Sequence, residues 1–472
     1  MLTEEGVYAN VKPIREYPLG LIPFDCDILS MELPCFSECV VHGEKSALFH
    51  AARAMIDMQA LFGVAENVYA KGHLACETLK LMSRLRDEEH STVGKGQEET
   101  MAPEIHSILI LDRGCDLVSP LCTPLTYEGL VDEIIGIENA FVMFDAEGTG
   151  KKQPVPLNSN DPLYEEVRDY NIGVLLPRLS ERATELAGHE NSRDNLDSLD
   201  EIHGFVKSLP TLQADKRALK LHIDLCEHLQ KTTTTRTFRE LWQSEQSMIE
   251  GRANQTFVED CIAKEESPVQ ILRLLCLQSL CCGGIRGAKY NELRREVLQT
   301  YGYDYIYTLD NFERAGMLRK QSLWDWRAIS KAFRLIVDAP KVTDPDDMAY
   351  VTSGYAPLSA RIVEQFCSKG WSSMSAQLKL LPGPSMEERQ RETKVDSRQG
   401  AGEGKQKVLF VFVVGGITSA EISAMRLINK RKGGEWTVLI GSTNLTSGRK
   451  FCSELVEDSD SGEHGRQGNR ER

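Results

Sequence analysis

The clearest pattern in the sequence is an apolar run that ends at an acidic turn and continues into a helix. Ile108–Leu111 is too short for a helix and is followed by Asp112 and Gly114, so it predicts a buried strand. Beyond the turn, apolar positions 127, 130, 131 and 134 recur at helical spacing after Thr126, a suitable N-cap residue. The segment therefore predicts a strand, a sharp turn and a helix, an arrangement in which α/β proteins bind ligands.

A second strand–turn–helix pattern occurs near the other end of the chain. Val408–Val414 is apolar throughout, as in strands that are buried on both faces of a parallel sheet. Two glycines follow it, and the helix Ser419–Asn429 then begins with Thr418 and Glu421 at the spacing of a capping box. Neither end of the chain has enough strands to cover both faces of a sheet, so we expect the two ends to share one.

The residues between these patterns are mostly helical in character. Leu199–Gly251 is predicted to be helical with a break near Pro210, and Ile271–Leu280 is apolar on nearly all sides, as in a buried helix. The predicted fold class is α/β plus all-α: a split, doubly wound parallel-sheet domain that a mostly helical insertion domain interrupts. The predicted boundaries are 1–140 for the first half of the α/β domain, 141–344 for the helical insertion and 345–472 for the second half.

Three further predictions concern the second half of the α/β domain. Ala349–Val351 is expected to form a strand. Residues 383–407 contain few apolar side chains and are expected to form a disordered insertion. The polar tail, residues 456–472, is expected to be frayed for the same reason.

Composition narrows the classes of function. The chain has 472 residues, 41% of them hydrophobic and 26% charged, as in an ordinary globular protein. Its 70 acidic and 55 basic residues give a net charge of −15, which argues against nucleic acid as a partner because phosphate binding needs clustered Lys and Arg. The 13 cysteines have no repeating spacing and no signal peptide is recognisable, so reduced thiols in the cytoplasm are expected. The longest apolar stretch is too short to cross a bilayer, so membrane association is expected to depend on partners.

The acidic turn leaves an enzymatic alternative open. A hydrolase or phosphotransferase centred on Asp112 and Asp116 would use these carboxylates as catalytic or metal-binding groups. Against this, a phosphotransferase of the haloacid type needs its second Asp at the position that Gly114 occupies. The structural interpretation is that Arg113 pairs with an Asp while both acids accept hydrogen bonds from backbone N–H groups. This interpretation is favoured because it is the commoner role of such clusters.

No cofactor or metal is expected from the other motifs. His222, Cys226 and His228 are close in sequence, but zinc needs three or four ligands in a closed geometry and no second pair is evident. The two glycines after Val408–Val414 lack the spacing of a dinucleotide-binding loop and the lysine of a nucleoside-triphosphate-binding loop. We therefore predict neither a metal site nor a bound nucleotide.

The acidic turn also carries a family resemblance. Residues 112–133, DRGCDLVSPLCTPLTYEGLVDE, resemble the signature of the Sec/Munc (SM) family of SNARE-binding proteins. Residues 18–34, 347–365 and 409–428 resemble other segments of that family in the same order, and together the four are most similar to its vacuolar-sorting branch. The residues that the resemblance identifies as a structural signature turn are Asp112, Arg113, Asp116, Pro120, Thr126, Tyr127 and Glu128.

The resemblance implies a non-enzymatic regulator of SNARE assembly in vesicle docking and fusion at late endosomes and lysosomes. Such a protein is cytoplasmic and associates peripherally with these membranes through partners. The implied partners are syntaxin-type and vesicle SNAREs together with a helical-solenoid vacuolar-sorting subunit that acts as a tether. No counterpart of the family's additional N-terminal α/β domain precedes Met1, so weakened binding to the syntaxin-type SNARE is expected.

The resemblance also suggests where these partners bind. SNARE helices dock by an apolar stripe, and the matching helical hairpin of this chain lies within residues 199–251. The residues expected to contact SNARE helices are Leu221, Leu225, His228, Phe238 and Leu241. The residues expected to contact the tether are Leu309, Phe312, Met317 and Leu318.

Overall fold

The computed structural model describes residues 19–93, 103–145, 150–191, 199–320, 325–391, 406–431 and 434–457. The strands of these residues are β1 (Ile22–Asp25), β2 (Ile28–Ser30), β3 (Asn67–Lys71), β4 (Ser107–Asp112), β5 (Ile137–Glu138), β6 (Phe141–Phe144), β7 (Gln153–Pro156), β8 (Ser385–Arg389), β9 (Lys407–Val414), β10 (Ile417–Thr418), β11 (Trp436–Ser442) and β12 (Leu445–Thr446).

The helices occupy much of the space between these strands. They are α1 (Ser46–Phe62), α2 (His73–Val93), α3 (Tyr127–Ile134), α4 (Pro162–Val167), α5 (Ile172–Asn191), α6 (Leu199–Thr233), α7 (Arg236–Ile249), α8 (Gln255–Ala263), α9 (Pro268–Cys281), α10 (Gly287–Tyr301), α11 (Tyr305–Arg314), α12 (Trp326–Phe333), α13 (Leu358–Lys369), α14 (Ser375–Leu378), α15 (Ser419–Lys430) and α16 (Gly448–Ser453). None of the helices in the described residues is both long enough and apolar enough to span a membrane.

The main sheet combines strands from both ends of the chain. Among the described residues it has seven strands in the order β1-β2-β11-β9-β4-β3-β8. Neighbours from β2 to β3 are parallel, whereas β1 and β8 pair with the sheet in antiparallel orientation. Strands β9 and β11 lie between β2 and β4, so the sheet is incomplete without either end of the chain. The predicted fold class, a split parallel-sheet domain interrupted by mostly helical residues, is therefore confirmed.

Strand β9 shows how the sequence specifies a sheet that is covered on both faces. Its side chains at 409, 411 and 413 belong to a first core, which the sheet shares with α13, α15 and much of the helical insertion. The alternate side chains at 410, 412 and 414 belong to a second core against α1 and α2. Because successive residues of a strand point to opposite faces, both sets must be apolar, and this produces the continuous apolar run.

The helical insertion adds to these cores and builds another. Every residue from Ile271 to Cys281 of α9 is buried, which confirms the predicted all-round packing of this helix. A third core joins α3, α4, α5 and α6 to the small antiparallel sheet of β5, β6 and β7. Helix α6 therefore packs directly on the helix that follows the acidic turn.

Three local predictions are wrong. Pro210 does not break the helix: α6 runs from Leu199 to Thr233 and contains Pro210 at an exposed position. Ala349–Val351 belongs to a 3-10 helix, Met348–Val351, because the Asp347 side chain accepts a hydrogen bond of 2.9 Å from Ala349 N and starts a turn.

The predicted disordered insertion also needs correction. Ser385–Arg389, within residues 383–407, form the edge strand β8 along β3. The mostly polar side chains of β8 lack the apolar pattern that predicts a strand. The strand is stabilised by backbone hydrogen bonds and by Met386, which packs against the second core. Residues 392–405 of the insertion and 458–472 of the polar tail lie outside the described residues.

Replacing Phe412 with Ala should weaken both ends of the shared sheet together. Phe412 is fully buried in β9, so its truncation should lower the free energy of unfolding by about 3–5 kcal/mol. Hydrogen exchange followed by mass spectrometry should show loss of protection in β4 and in β11 alike. Leu380→Ala, at a side chain that is 42% exposed, is the control and should change stability by less than about 0.5 kcal/mol. Loss of protection in β11 alone would contradict a shared sheet.

Candidate functional site

Arg113 is the centre of the acidic turn. It follows β4 directly, its side chain is 1% exposed, and it reaches α15 near the other end of the chain. Its two terminal nitrogens donate to the two carboxylate oxygens of Glu421 at 2.8 and 2.9 Å, which is a bidentate pair. Its Nε donates to the backbone oxygen of Asp116 at 2.8 Å. Burial by itself would lower the pKa of Arg113, but the carboxylates of Glu421 and Asp116 raise it, so the guanidinium stays charged.

Glu421 has hydrogen-bond donors on every side. Thr418 donates to it from its backbone N at 3.0 Å and from its hydroxyl at 2.9 Å. The same hydroxyl accepts from Glu421 N at 3.4 Å, and this reciprocal pair confirms the predicted capping box at the start of α15. The Ser359 hydroxyl of α13 donates to its other oxygen. Burial alone would raise the pKa of Glu421, but the Arg113 guanidinium and these hydrogen bonds hold that pKa below its ordinary value. The pair is thus an ionised, fully hydrogen-bonded unit in the core.

The two aspartates of the turn bind backbone groups. Asp112 accepts from Gly114 N at 2.8 Å and from Leu74 N, at the start of α2, at 2.9 Å. Asp116 accepts from the backbone N and the hydroxyl of Ser119 at 3.0 and 2.6 Å. Burial raises the pKa of both aspartates, although these hydrogen bonds and Arg113 oppose that effect. Both acids therefore accept backbone N–H groups, as the structural interpretation predicts.

Gly72 explains how Asp112 can reach α2. Gly72 has φ of +107°, a conformation that side-chain-bearing residues rarely adopt. A Cβ atom at this position would lie 2.2 Å from the Cβ of Asp112. The close approach of the β3 and β4 ends at the acidic turn therefore requires glycine.

The rest of the signature segment connects other elements to the turn. Pro120 lies in a buried 3-10 helix, Ser119–Leu121, and Thr126 is the buried N-cap residue of α3. Tyr127 donates to or accepts from His222 of α6 at 2.8 Å. Glu128 accepts from Arg426 of α15 at 2.9 Å. The signature thus joins β4, α3, α6 and α15 at one place.

The geometry does not favour an enzyme centred on Asp112 and Asp116. These residues are 6% and 3% exposed, and their carboxylates accept hydrogen bonds from the turn and from the starts of α2 and α13. Neither lines either of the two cavities of about 300 Å³ that lie among the described residues. One of these cavities lies beside α3 and α15, and the other lies between α4, α5 and α6. A substrate therefore has no approach to the two carboxylates through these cavities.

The sets of potential metal ligands are occupied by other partners. Asp25, Cys26 and Asp27 place ligand atoms within 4.8 Å of one another, but Asp25 pairs with Arg168 and Asp27 with Arg426. Both ring nitrogens of His222 are hydrogen bonded, which leaves no lone pair of that ring for a metal shared with Cys226. These contacts account for the carboxylates and the imidazole without an ion.

The predicted SNARE-contact residues differ in exposure. His228 is exposed, whereas Leu221, Phe238 and Leu241 are half-buried along α6 and α7. Leu225 has no exposed surface and belongs to the third core, so the prediction that it contacts a partner does not agree with the structure. Its place in the apolar pattern of α6 comes from packing within the protein.

The predicted tether-contact residues all lie in the first core. Their exposed fractions are 3% or less, so they are unavailable to a partner in this conformation: Leu309, Phe312, Met317 and Leu318. Other positions of the same segment carry exposed apolar side chains that the sequence pattern did not identify. Tyr303, Ile306 and Tyr307 are 76%, 41% and 64% exposed. Periodicity detects the buried stripe of α11, but it does not identify an exposed apolar surface.

Removal of Arg113 should destabilise the protein more than removal of Glu421. Arg113→Met leaves two buried carboxylates without their cation, whereas Glu421→Gln leaves Arg113 beside Asp116, whose carboxylate is 3.3 Å away. Loss of one partner of a buried pair costs about 3–5 kcal/mol, and the arginine variant should lie at the upper end. Urea unfolding measures the difference, and the double variant should lose less than the sum.

An exposed pair provides the control for this comparison. Arg236 pairs with Glu240 on α7, with side chains that are 89% and 40% exposed. Arg236→Met should leave the free energy of unfolding nearly unchanged, because solvent screens this pair. Equal losses for Arg113→Met and Arg236→Met would show that the buried pair does not organise the turn.

Comparison with known proteins finds relatives with similar sequences. Vacuolar protein sorting-associated protein 33A of Rattus norvegicus is 37% identical to this chain, over 97% of the chain and 79% of the relative. Vacuolar protein sorting-associated protein 33B of Mus musculus is 32% identical over the same shares. The sequence motifs point to the 33B type, whereas the identity to this 33A relative is higher.

Solved structures of low identity have a similar fold. The Unc18–syntaxin 1 complex from Monosiga brevicollis matches with a TM-score of 0.68 and 19% identity, over 96% of this chain and 79% of that chain. The SM protein Vps45 in complex with the Qa SNARE Tlg2 matches with a TM-score of 0.66 and 17% identity, over 96% and 78%. The sequence pattern of the Sec1 family matches residues 2–454. The buried signature turn, the shared sheet and this match together show that the chain belongs to the Sec1 family.

Proposed function

We propose that this protein is a non-enzymatic regulator of SNARE assembly in vesicle docking and fusion, and that it acts together with a vacuolar-sorting tether. The observation that carries the proposal is the Sec1-family match over residues 2–454, which includes both halves of the sheet and the helical insertion. Relatives named for vacuolar protein sorting support the branch of traffic. Two similar structures are complexes with a syntaxin and with a Qa SNARE, which supports the class of partner.

The proposed mechanism is the positioning of SNARE helices before they assemble. A helix that is held in the correct orientation has already lost much of the entropy that assembly costs, so no covalent step is needed. Helices α6 and α7 offer half-buried apolar side chains at Leu221, Phe238 and Leu241, with His228 exposed nearby. Such a surface suits the apolar heptad stripe of a SNARE helix. Both syntaxin-type and vesicle SNAREs are proposed as partners.

The proposed tether surface consists of Tyr303, Ile306 and Tyr307, called the α11 patch below. Among the described residues of the helical insertion, Tyr303 and Tyr307 are the most exposed large apolar side chains, and Ile306 is exposed between them. Tyr303 lies in the turn just before α11, and Ile306 and Tyr307 lie in the first turn of that helix. Aromatic side chains that remain exposed together are typical of protein interfaces. A helical-solenoid vacuolar-sorting subunit is the proposed occupant because such a surface matches the apolar ridge of a helix.

The proposed site of action is the cytoplasmic face of late endosomes and lysosomes. The naming of relatives after vacuolar sorting supports this compartment. The protein would associate peripherally with the membrane through the tether and the SNAREs. This mode agrees with its net charge of −15, since anionic lipids repel a strongly acidic surface.

Substitution of the half-buried apolar residues of α6 and α7 should weaken SNARE binding. The double variant Leu221→Ser and Phe238→Ser removes two apolar contacts, so its affinity for syntaxin-type and vesicle SNARE helices should fall about tenfold or more. Fluorescence anisotropy with labelled SNARE peptides measures the change. Leu225→Val is the control, since this side chain is fully buried and should lower stability by about 1 kcal/mol without changing affinity. An equal loss of affinity in both variants would oppose the proposed surface.

Polar substitutions in the α11 patch should weaken binding of the tether and leave SNARE binding unchanged. Tyr303→Ser with Tyr307→Ser deletes exposed aromatic contacts, so co-purification with the solenoid subunit should fall at least about tenfold. SNARE affinity and the thermal midpoint should stay unchanged, because both tyrosines are largely in solvent. Leu61→Ser, at a side chain 71% exposed on α1, is the matched control and should retain the tether. Retention of the tether by the tyrosine variant would refute this assignment.

A further inference from the structure

A chain of hydrogen bonds runs from the signature turn into the helical hairpin. The hydroxyl of Tyr127, at the start of α3, lies 2.8 Å from Nδ1 of His222 on α6. Nε2 of His222 lies 3.0 Å from Oδ2 of Asp161. Asp161 is the N-cap residue of α4, where its other oxygen accepts from Leu163 N and Tyr164 N at 2.9 and 3.2 Å. The chain therefore connects α3, α6 and α4 through one imidazole.

The ring of His222 is also enclosed by aromatic side chains. Tyr164 stacks on it with centroids 5.9 Å apart and an interplanar angle of 16°. Tyr127 meets it edge-on at 5.7 Å and 82°. Tyr127 and His222 have no exposed surface, and Tyr164 is 1% exposed. A ring packed in this way has a single position and orientation.

The proton positions along this chain follow from the chemistry of its members. Hydrogen bonds from His222 and from the backbone of α4 oppose the effect of burial and lower the pKa of Asp161, so its carboxylate is ionised. An ionised carboxylate only accepts, so Nε2 of His222 must donate to it. In the neutral imidazole Nδ1 is then an acceptor, and the Tyr127 hydroxyl donates to it. With a neutral ring, each hydrogen bond in the chain therefore has a defined direction.

His222 is a polar exception in an apolar stripe. The other buried positions of this part of α6 are Leu219, Leu225, Cys226 and Leu229. Apolar contacts have no direction, so such a stripe tolerates sliding or rotation of the helix. One buried polar residue with fixed partners removes that freedom, as a single buried polar residue sets the register of a coiled coil.

We infer that His222 is a positioning residue that fixes the axial register of α6 on α3 and α4 and so transmits the placement of the signature turn to the hairpin. Leu221, a proposed SNARE contact, is its immediate neighbour, so the register of α6 decides where that contact lies. The register of α6 is a property of this chain alone. Its consequence for SNARE affinity rests on the proposed function.

The test compares variants that keep or remove the directional bonds. His222→Leu with Tyr127→Phe removes both buried partners and keeps apolar shape, so the fold should persist. His222→Gln keeps a donor for Asp161 and an acceptor for Tyr127. Electron–electron distance measurements use spin-labelled unnatural amino acids at exposed positions 50 on α1 and 220 on α6 of the full chain. Such labels avoid the 13 cysteines.

The wild-type chain and His222→Gln should each give one narrow distance distribution. The double variant His222→Leu with Tyr127→Phe, called the Leu/Phe variant below, should give a broadened distribution. One population should be shifted by about 5 Å, the rise of one helical turn. A narrow, unshifted distribution in the Leu/Phe variant would overturn the inference. If that variant does not fold, nitrogen NMR of the wild-type His222 decides: a proton on Nε2 supports the inference, and a neutral ring protonated on Nδ1 overturns it.

Affinity for SNARE peptides is measured in an experiment separate from the distance measurement. Affinity for SNARE peptides should fall about threefold to tenfold in the Leu/Phe variant and recover in His222→Gln, while a thermal melt shows a similar midpoint for both. Absence of SNARE binding by the wild-type chain would refute the proposed function, and the distance result would still decide the register. Retained SNARE affinity in a variant with broadened distances would limit the role of His222 to the protein's own architecture and overturn its functional consequence.

Discussion

The buried bidentate pair of Arg113 and Glu421 connects the two ends of the chain at the acidic turn. The two residues are 308 positions apart, and both have 1% exposure or less. Taking two charges out of water costs several kcal/mol for each ion, and only good geometry with every hydrogen bond made offsets that cost. Here each oxygen of Glu421 has donors from both Arg113 and a hydroxyl residue. The pair therefore forms only when β4 and α15 are correctly placed, which makes it a specific connection between the two ends of the chain.

Buried arginines repeat this arrangement around the carboxyl edge of the sheet. Arg426 of α15 binds Asp27, Glu128 and Asp169, which belong to three separate parts of the chain. Arg273 of α9 contacts Glu133 and thereby joins the helical insertion to the end of α3. In many α/β enzymes this edge holds a substrate or cofactor. In this protein the described part of that edge is largely filled by its own ion pairs.

Lys71 fills another part of the same edge. Its side chain is 1% exposed, and Nζ donates to the backbone oxygens of Leu381 and Gly383 at 3.2 and 2.6 Å. The turn at 381–383 therefore packs against the carboxyl ends of β3 and β4, where Cys115 also donates to the backbone oxygen of Pro382. The charged groups at this edge of the sheet hold segments of the chain together. The proposed partner surfaces lie on the helical insertion. This division agrees with the proposed role in positioning other proteins.

Features with a local cause could be predicted from the sequence. Strand β9 follows from its apolar run, the capping box of α15 from the spacing of Thr418 and Glu421, and the buried helix α9 from apolar residues on all sides. Tertiary structure alone decided that Arg113 pairs with Glu421, that residues 385–389 form an edge strand, and that Leu225 and Leu309 are core while Tyr303 is exposed. Hydrophobic periodicity reports that a face is apolar, since burial removes apolar area from water wherever the face packs. It does not report which element covers that face, because that element is chosen by the packing of the whole chain.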